Sequence, residues 1–116
     1  MPRFVILEHD HPSLHWDLML EVGDVLRTWR LALPPAVGVV LDVQASFDHR
    51  LAYLDYEGPI SSGRGQVMRW DYGEFAAAIE EGRVVVQLYG ARLRGMLALE
   101  KVQGDVWRGT WTPAEN

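Results

Sequence analysis

Cysteine is absent from this chain. That removes disulfides and thiolate ligands together, so any bound metal must be held by nitrogen and oxygen. Long apolar runs are missing too. The opening stretch MPRFVILEHD has no extended apolar segment after its basic residue, so neither a signal peptide nor a membrane span is expected, and a cytoplasmic location is. There are no repeats, linkers or low-complexity tracts, and 116 residues suit one domain, 1–116, around one core. Positive charge is scarce as well. The formal charge is −5 at pH 7, which weighs against attachment to a nucleic-acid backbone through charge alone. Lysine is nearly missing: Lys101 stands alone beside ten arginines. Arginine suits bidentate grips on phosphate and stacking on flat rings, although a set of solvated surface arginines needs no function at all.

What remains reads mostly as strands. RFVILEH (3–9), LHWDLMLE (14–21), the run after the Gly23-Asp24 turn up to residue 31, VVLDVQAS (39–46), HRLAYLDYE (49–57) and QVMRWDYG (66–73) all have β character. Three more strands follow, RVVVQLYG, ARLRGMLALEKV and DVWRGTWTP. LPPAVG (33–38) is a breaker segment, and GPISSGRG (58–65) is the longest loop signal. EFAAAIEEG (74–82) is the one good helix candidate, with Gly82 just past its end. The expectation is a mainly β fold: a compact antiparallel barrel of about eight strands with one or two short helices.

Histidine is concentrated. Three of the 4 histidines, His9, His11 and His15, fall in LEHDHPSLHWDLMLE (7–21). Alternation along a strand puts His15, Asp17, Met19 and Glu21 on one face and Leu14, Trp16, Leu18 and Leu20 on the other, the core side. Residues two apart on one face stand roughly 7 Å apart at their bases, so one ion can bridge His15 and Asp17. If 3–9 and 14–21 form a hairpin, His9 returns beside them. Two imidazoles and a carboxylate suit manganese, ferrous iron or zinc better than calcium or magnesium. The same spacing also fits a hydrogen-bonded polar end of a barrel, and the residues alone leave both open.

Further motifs accompany this one. After His9, five residues, then His15-x-Asp17 and Glu21 come Trp29, Asp48-His49, Tyr53 and Asp55-Tyr56-Glu57-Gly58. In order and spacing the chain resembles, from Arg3 to about Trp111, the 3′-phosphoesterase domain of bacterial DNA ligase D. The resemblance implies a compact β-barrel that uses a divalent metal, manganese by preference, to remove 3′-phosphates and 3′-terminal ribonucleosides from nucleic-acid ends in end-joining repair. It implies metal ligands at His9, His15 and Asp17, and phosphate contacts from His49, opposite the metal, and Tyr53. It also implies a separate ligase or polymerase as partner. Glu21 is equally a residue that orients a ligand and a surface carboxylate.

Three positions depart from the family pattern. Met19 stands where the family has the arginine of His-x-Asp-x-Arg, Leu33 falls near its lysine, and Leu41 falls near a further arginine. All three cations grip phosphate, and a charge-assisted bond is worth about 1.5–3 kcal/mol. Among the arginines able to substitute, Arg50 beside His49 is the first choice, and Arg27, Arg30, Arg64 and Arg69 follow. On an unbent strand, however, Arg50 would point away from His49. His11, Ser61, Ser62, Asp55, Glu57 and the five tryptophans are expected to serve turns, surface or core. The alternative to an enzyme is a barrel that keeps the metal and binds nucleic-acid ends or a repair partner without catalysis.

Overall fold

A computed structural model describes residues 1–35 and 40–115; the end of the 33–38 breaker segment lies outside them. The chain begins with a meander of β1 (Arg3–His9), β2 (His15–Val22) and β3 (Val25–Leu31). After β4 (Val40–Ala45) it makes an excursion. This consists of the two-residue strand β5 (His49–Arg50), a 3-10 turn over Leu51–Leu54 and the two-residue strand β6 (Gly58–Pro59). Four long strands complete the molecule: β7 (Gln66–Glu80), β8 (Arg83–Gly90), β9 (Arg94–Gln103) and β10 (Val106–Pro113). All pairings are antiparallel. The order β1-β2-β3-β4-β10-β9-β8-β7 closes when β7 pairs back onto β1, giving an eight-stranded barrel. β5 hangs on β3 and β6 on β7. Among the described residues no helix is long and apolar enough to cross a membrane.

The barrel matches the expectation, and its one short helical segment among the described residues lies elsewhere than expected. EFAAAIEEG is not a helix. Residues 74–80 are the second half of β7, paired with β8 from Gly73↔Gly90 to Glu80↔Arg83. Nine residues of good helix propensity are marginal alone. Here they face the β-branched run of β8, and closing the barrel requires β7 to bond β1 with one half and β8 with the other. Gly73 sits where β7 passes from one partner to the other. A Cβ there would lie 2.2 Å from the Tyr89 carbonyl oxygen, so the corner takes glycine. The expected strand 49–57 is also corrected: only His49–Arg50 is extended, and the chain then coils into the 3-10 turn, the only helical segment among the described residues. Leu14, expected on the core side, lies before β2 and is exposed.

Two apolar clusters form on opposite sides of one wall. The barrel interior holds Phe4 and Ile6 from β1, Trp16, Leu18 and Leu20 from β2, and Trp29 and Leu31 from β3. Residues from β4, β7, β8, β9 and β10 complete it. Leu18 and Leu20 are fully buried, each stabilising the fold by about 1.5–3 kcal/mol. The tryptophans fall here as expected: Trp29 meets Trp107 edge-to-face, and Trp70 packs on the cluster's border. The second cluster, Val5, Leu7, Met19, Leu26, Leu54 and Val67, uses the opposite parity of β1, β2 and β3, and takes Val67 from β7 before the bulge in its pairing with β1. It lies on the outside of the barrel, and the excursion 46–65 covers it.

Candidate metal centre

The row that carries His15, Asp17 and Met19 points to the outer wall, beneath that excursion, and not to an end of the barrel. The hairpin expectation holds: β1 pairs β2 with His9↔His15 and Leu7↔Asp17 in register. His9, His15 and Asp17 thereby come together, with one ligand atom from each lying within 4.8 Å of the others. The rings of His9 and His15 are 4.9 Å apart between centroids. His15 and Asp17 are buried, at 4% and 6% exposure.

The hydrogen bonds assign a tautomer to each imidazole. A backbone carbonyl only accepts, so the ring nitrogen facing one must carry a proton. His15 Nδ1–H donates to the Ser13 carbonyl at 2.8 Å, which leaves Nε2 turned to Asp17 Oδ2 at 3.2 Å. His9 Nε2–H donates to the Arg64 carbonyl at 2.8 Å, which leaves Nδ1 at 3.9 Å from the same Oδ2. Each ring thus presents its other nitrogen inward. Outer N–H groups fixed by carbonyls are the usual support of histidine metal ligands. The donor set, two oriented imidazoles and a carboxylate, fits a divalent transition ion. In the metal-free protein, burial pulls the His15 pKa down, but the protonated ring, whose Nε2–H then donates to Asp17 while Nδ1–H donates to the Ser13 carbonyl, is favoured enough to outweigh burial and raise it.

The Arg64 carbonyl reaches His9 because the 58–65 loop is tied to the turn after β1. Asp10 Oδ1 accepts from the Gln66 N–H at 2.8 Å, and Ile60 N–H bonds the Gly65 carbonyl at 2.8 Å. Gly65 has φ +72, and a Cβ on it would lie 2.2 Å from Asp10 Oδ1, so only glycine lets the loop close this tightly.

A cavity of about 360 Å³ opens over the cluster. Leu7, Met19 and Val67 form its apolar floor, and His49, Arg50 and Tyr53 line the excursion side. His49 is held from three directions. Phe47 stacks on one face at 4.5 Å and 19°, Tyr53 meets it edge-on at 5.6 Å, and Thr28 Oγ1 lies 2.9 Å from Nδ1. Burial pushes the His49 pKa below the ordinary histidine value, against the opposing pull of Asp17. Arg50 stands at the bend where β5 becomes the 3-10 turn. It lines the cavity, with its guanidinium 6.0 Å from the Tyr53 ring centre.

Other candidates go elsewhere. Glu21 Oε1 accepts from the Arg3 N–H at 2.9 Å, at the far end of the hairpin from His15. Asp55 pairs with Arg3 at 2.7 Å, which holds the Asp55 carboxyl below the usual range, and Glu57 accepts from the Arg69 N–H. Both carboxylates thus fasten the excursion to the barrel. The Arg64 guanidinium bonds Ser61 in its own loop, and Arg69 and Arg27 lie on Tyr72 and Trp29. Leu41 is interior, and Leu33 is half exposed. His11 lines the cavity rim, 6.5 Å from His9 between ring centres. Thr28, Phe47 and the two backbone carbonyls were not singled out in the sequence. Thr28 was accessible in principle, since it pairs Met19 in a register set by the tight turn at Gly23-Asp24.

An eight-stranded barrel thus carries two oriented imidazoles and a carboxylate, a donor set that could hold a metal ion, under a cavity that His9, His11 and His49 line. The family model of the DNA ligase D 3′-phosphoesterase domain matches residues 7–101. The chain belongs to that family. It is similar to the multifunctional non-homologous end joining DNA repair protein LigD of Mycobacterium tuberculosis, with 37% identity over 114 residues. That match covers 90% of this chain and 15% of the relative. The LigD proteins of Pseudomonas aeruginosa and Mycolicibacterium smegmatis are 35% identical over 106 residues and 30% identical over 122, covering 80% and 90% of this chain. The chain spans only 12% and 16% of their length.

Proposed function

We propose that this protein is a divalent-metal-dependent phosphoesterase that trims 3′ ends of nucleic acid, removing a 3′-phosphate or a 3′-terminal ribonucleoside in DNA end joining. What carries the reading is that His9 and Asp17 of the cluster and His49 line one cavity from opposite elements, hairpin and excursion, with His15 buried beside them, in a member of this family. His9 through Nδ1, His15 through Nε2 and Asp17 would hold the ion. Manganese is the preferred ion, with zinc and iron as alternatives. When bound, the ion supplies Lewis acidity to a phosphoryl oxygen and lowers the pKa of a water.

The protein's own groups supply the rest. His49 contacts the phosphate from the side opposite the cluster. Its Nδ1 faces the Thr28 hydroxyl, so its Nε2 is the ring atom left for substrate. With a depressed pKa the free ring is neutral near pH 7, and a phosphate entering the cavity draws it toward the protonated donor form. The Tyr53 hydroxyl and the Arg50 guanidinium hold the phosphate from the excursion side. Phe47 and Tyr53 exclude water around His49. The protein acts in the cytoplasm, on DNA ends or RNA-terminated DNA ends passed to or from a separate ligase or polymerase.

The test is a labelled primer-template with a 3′-phosphate or a 3′-ribonucleotide, incubated with and without manganese beside a His49→Ala control. Manganese-dependent phosphate loss or shortening, absent in the control, is the expected result. Stoichiometric metal with no turnover on either end would move the assignment to the non-catalytic end-binding barrel.

A further inference from the structure

The family's arginine two positions after the ligand aspartate is missing, and its place is fully occupied. Met19 is 2% exposed and packs in the outer cluster with Leu7, Leu26 and Val67. No cation can enter from that position without opening the cavity floor.

A different cation stands beside the cluster. Arg30 on β3 is the register partner of Asp17 on β2. Directly opposed residues have their Cβ atoms about 4.5–5.5 Å apart, closer than the roughly 7 Å between residues two apart on one strand face. Arg30 lines the same cavity as His49, and its Nε lies 3.9 Å from Asp17 Oδ1, too long for a hydrogen bond. That Nε is buried and has no hydrogen-bond partner among the described residues. Part of the side chain nevertheless reaches the open cavity, since it is 40% exposed. An anion oxygen lying over the cluster would meet that exposed part of the side chain, on the cavity side of Asp17.

We propose that Arg30 and the His9–His15–Asp17 cluster together form a phosphoryl-oxygen subsite, in which Arg30 supplies the cation that Met19 does not. The grip has moved from two residues along β2 to one residue across the ladder. Arg30 is thereby placed ahead of Arg50, which stands on the excursion at the far wall of the cavity. The identity of the anion as a phosphoester rests on the reading given under Proposed function; the subsite itself rests on the geometry.

Inorganic phosphate is the probe. It is titrated calorimetrically into manganese-loaded wild type, Arg30→Gln and Arg30→Lys, and manganese affinity is measured in the same preparations. Arg30→Gln is expected to weaken phosphate binding by about ten- to a hundredfold. Manganese affinity should be unchanged or higher, because a positive charge beside Asp17 has gone. Arg30→Lys keeps the charge without the planar fork and is expected to lie between the two. It also provides the measurement if Arg30→Gln fails to fold. Unchanged phosphate affinity in Arg30→Gln, with tighter manganese binding, would overturn the proposal and leave Arg30 as a counter-charge to Asp17. A wild type that binds no phosphate would overturn it too. Phosphate binding that depends on Arg30 in a protein without turnover on 3′ ends would keep the subsite and remove the hydrolytic reading. Turnover with an Arg30-independent phosphate affinity would do the reverse.

Discussion

Strand β2 has two faces that obey different physics. Its inner row, Trp16, Leu18 and Leu20, lies in a barrel closed on itself, where every neighbour is another strand's apolar side chain. Its outer row, His15, Asp17 and Met19, is buried nearly as well, but under a segment of short strands, a 3-10 turn and a glycine loop. The inner row is held by area and packing. The outer row is anchored by the His15 bond to the Ser13 carbonyl, and the segment covering it is tied down by the Arg64 carbonyl on His9 and by Glu57 on the Arg69 N–H of β7. A face closed by a regular sheet tolerates little change in volume. A face closed by a tied-down loop can keep polar donors oriented and still leave a cavity.

The sharpest break in this comparison is a pair of neighbours. Leu18→Ala should destabilise the protein by about 2–5 kcal/mol, read from denaturant unfolding, because it leaves a hole in the closed interior. Asp17→Asn, one residue away, should leave unfolding in chelator close to wild type and abolish the rise in melting temperature expected of the native protein when manganese is added. Equal losses of stability in chelator from both substitutions would show that the outer cluster is structural rather than a binding site.

A smaller effect is expected at Thr28, which acts through His49. Thr28→Val is nearly isosteric and removes the hydroxyl facing Nδ1. Turnover should fall by about ten- to a hundredfold, by analogy with other groups that orient site residues, while manganese affinity stays the same. The pH profile should shift as well, since His49 loses one of its hydrogen-bond partners. A variant with native turnover and a native profile would show that the Phe47 and Tyr53 contacts alone orient His49.

The smallest effect is a titration, and the two site histidines give opposite signs. The His15 pKa is raised in the metal-free fold, so its contribution to stability is present below about 6.5 and is lost as pH rises through the folded value. The His49 pKa is lowered, so its burial costs stability as pH falls below about 6.5 toward its folded value. Metal must displace the His15 proton. Apparent manganese affinity should therefore weaken as pH drops through the raised His15 value, by up to about tenfold per unit, with proton release seen as a buffer-dependent binding enthalpy. Affinity independent of pH between 5 and 8 would mean that His15 Nε2 is not a ligand.

Much of the site was legible because β-strand alternation is local. His15 and Asp17 must share a face whatever the rest of the chain does, and a hairpin through the Pro12 turn had to return His9 to them. That this face lies outside the barrel was not legible, because alternation separates two faces without saying which is inside. The Ala-rich segment 76–78 was misread for a related reason: its propensity is helical, and the closure that makes it a strand is a contact with β1 and β8. Closeness in sequence to His49 favours Arg50, and Arg50 does line the cavity; the pairing of Arg30 with Asp17, on which the proposed subsite rests, is visible only in the ladder.

The sequence by itself determined which residue types could meet a metal, with nitrogen and oxygen donors at strand spacing and no thiolate to compete. It also determined that the chain would build a β structure from alternating runs. Only the tertiary structure decided which imidazole nitrogen faces inward, because the Ser13 and Arg64 carbonyls that assign the tautomers are backbone groups with no signature in sequence. It alone decided that a methionine fills the floor of the cavity while an arginine from the neighbouring strand stands over the cluster. Register across a sheet is a property of paired strands, and no single strand carries it.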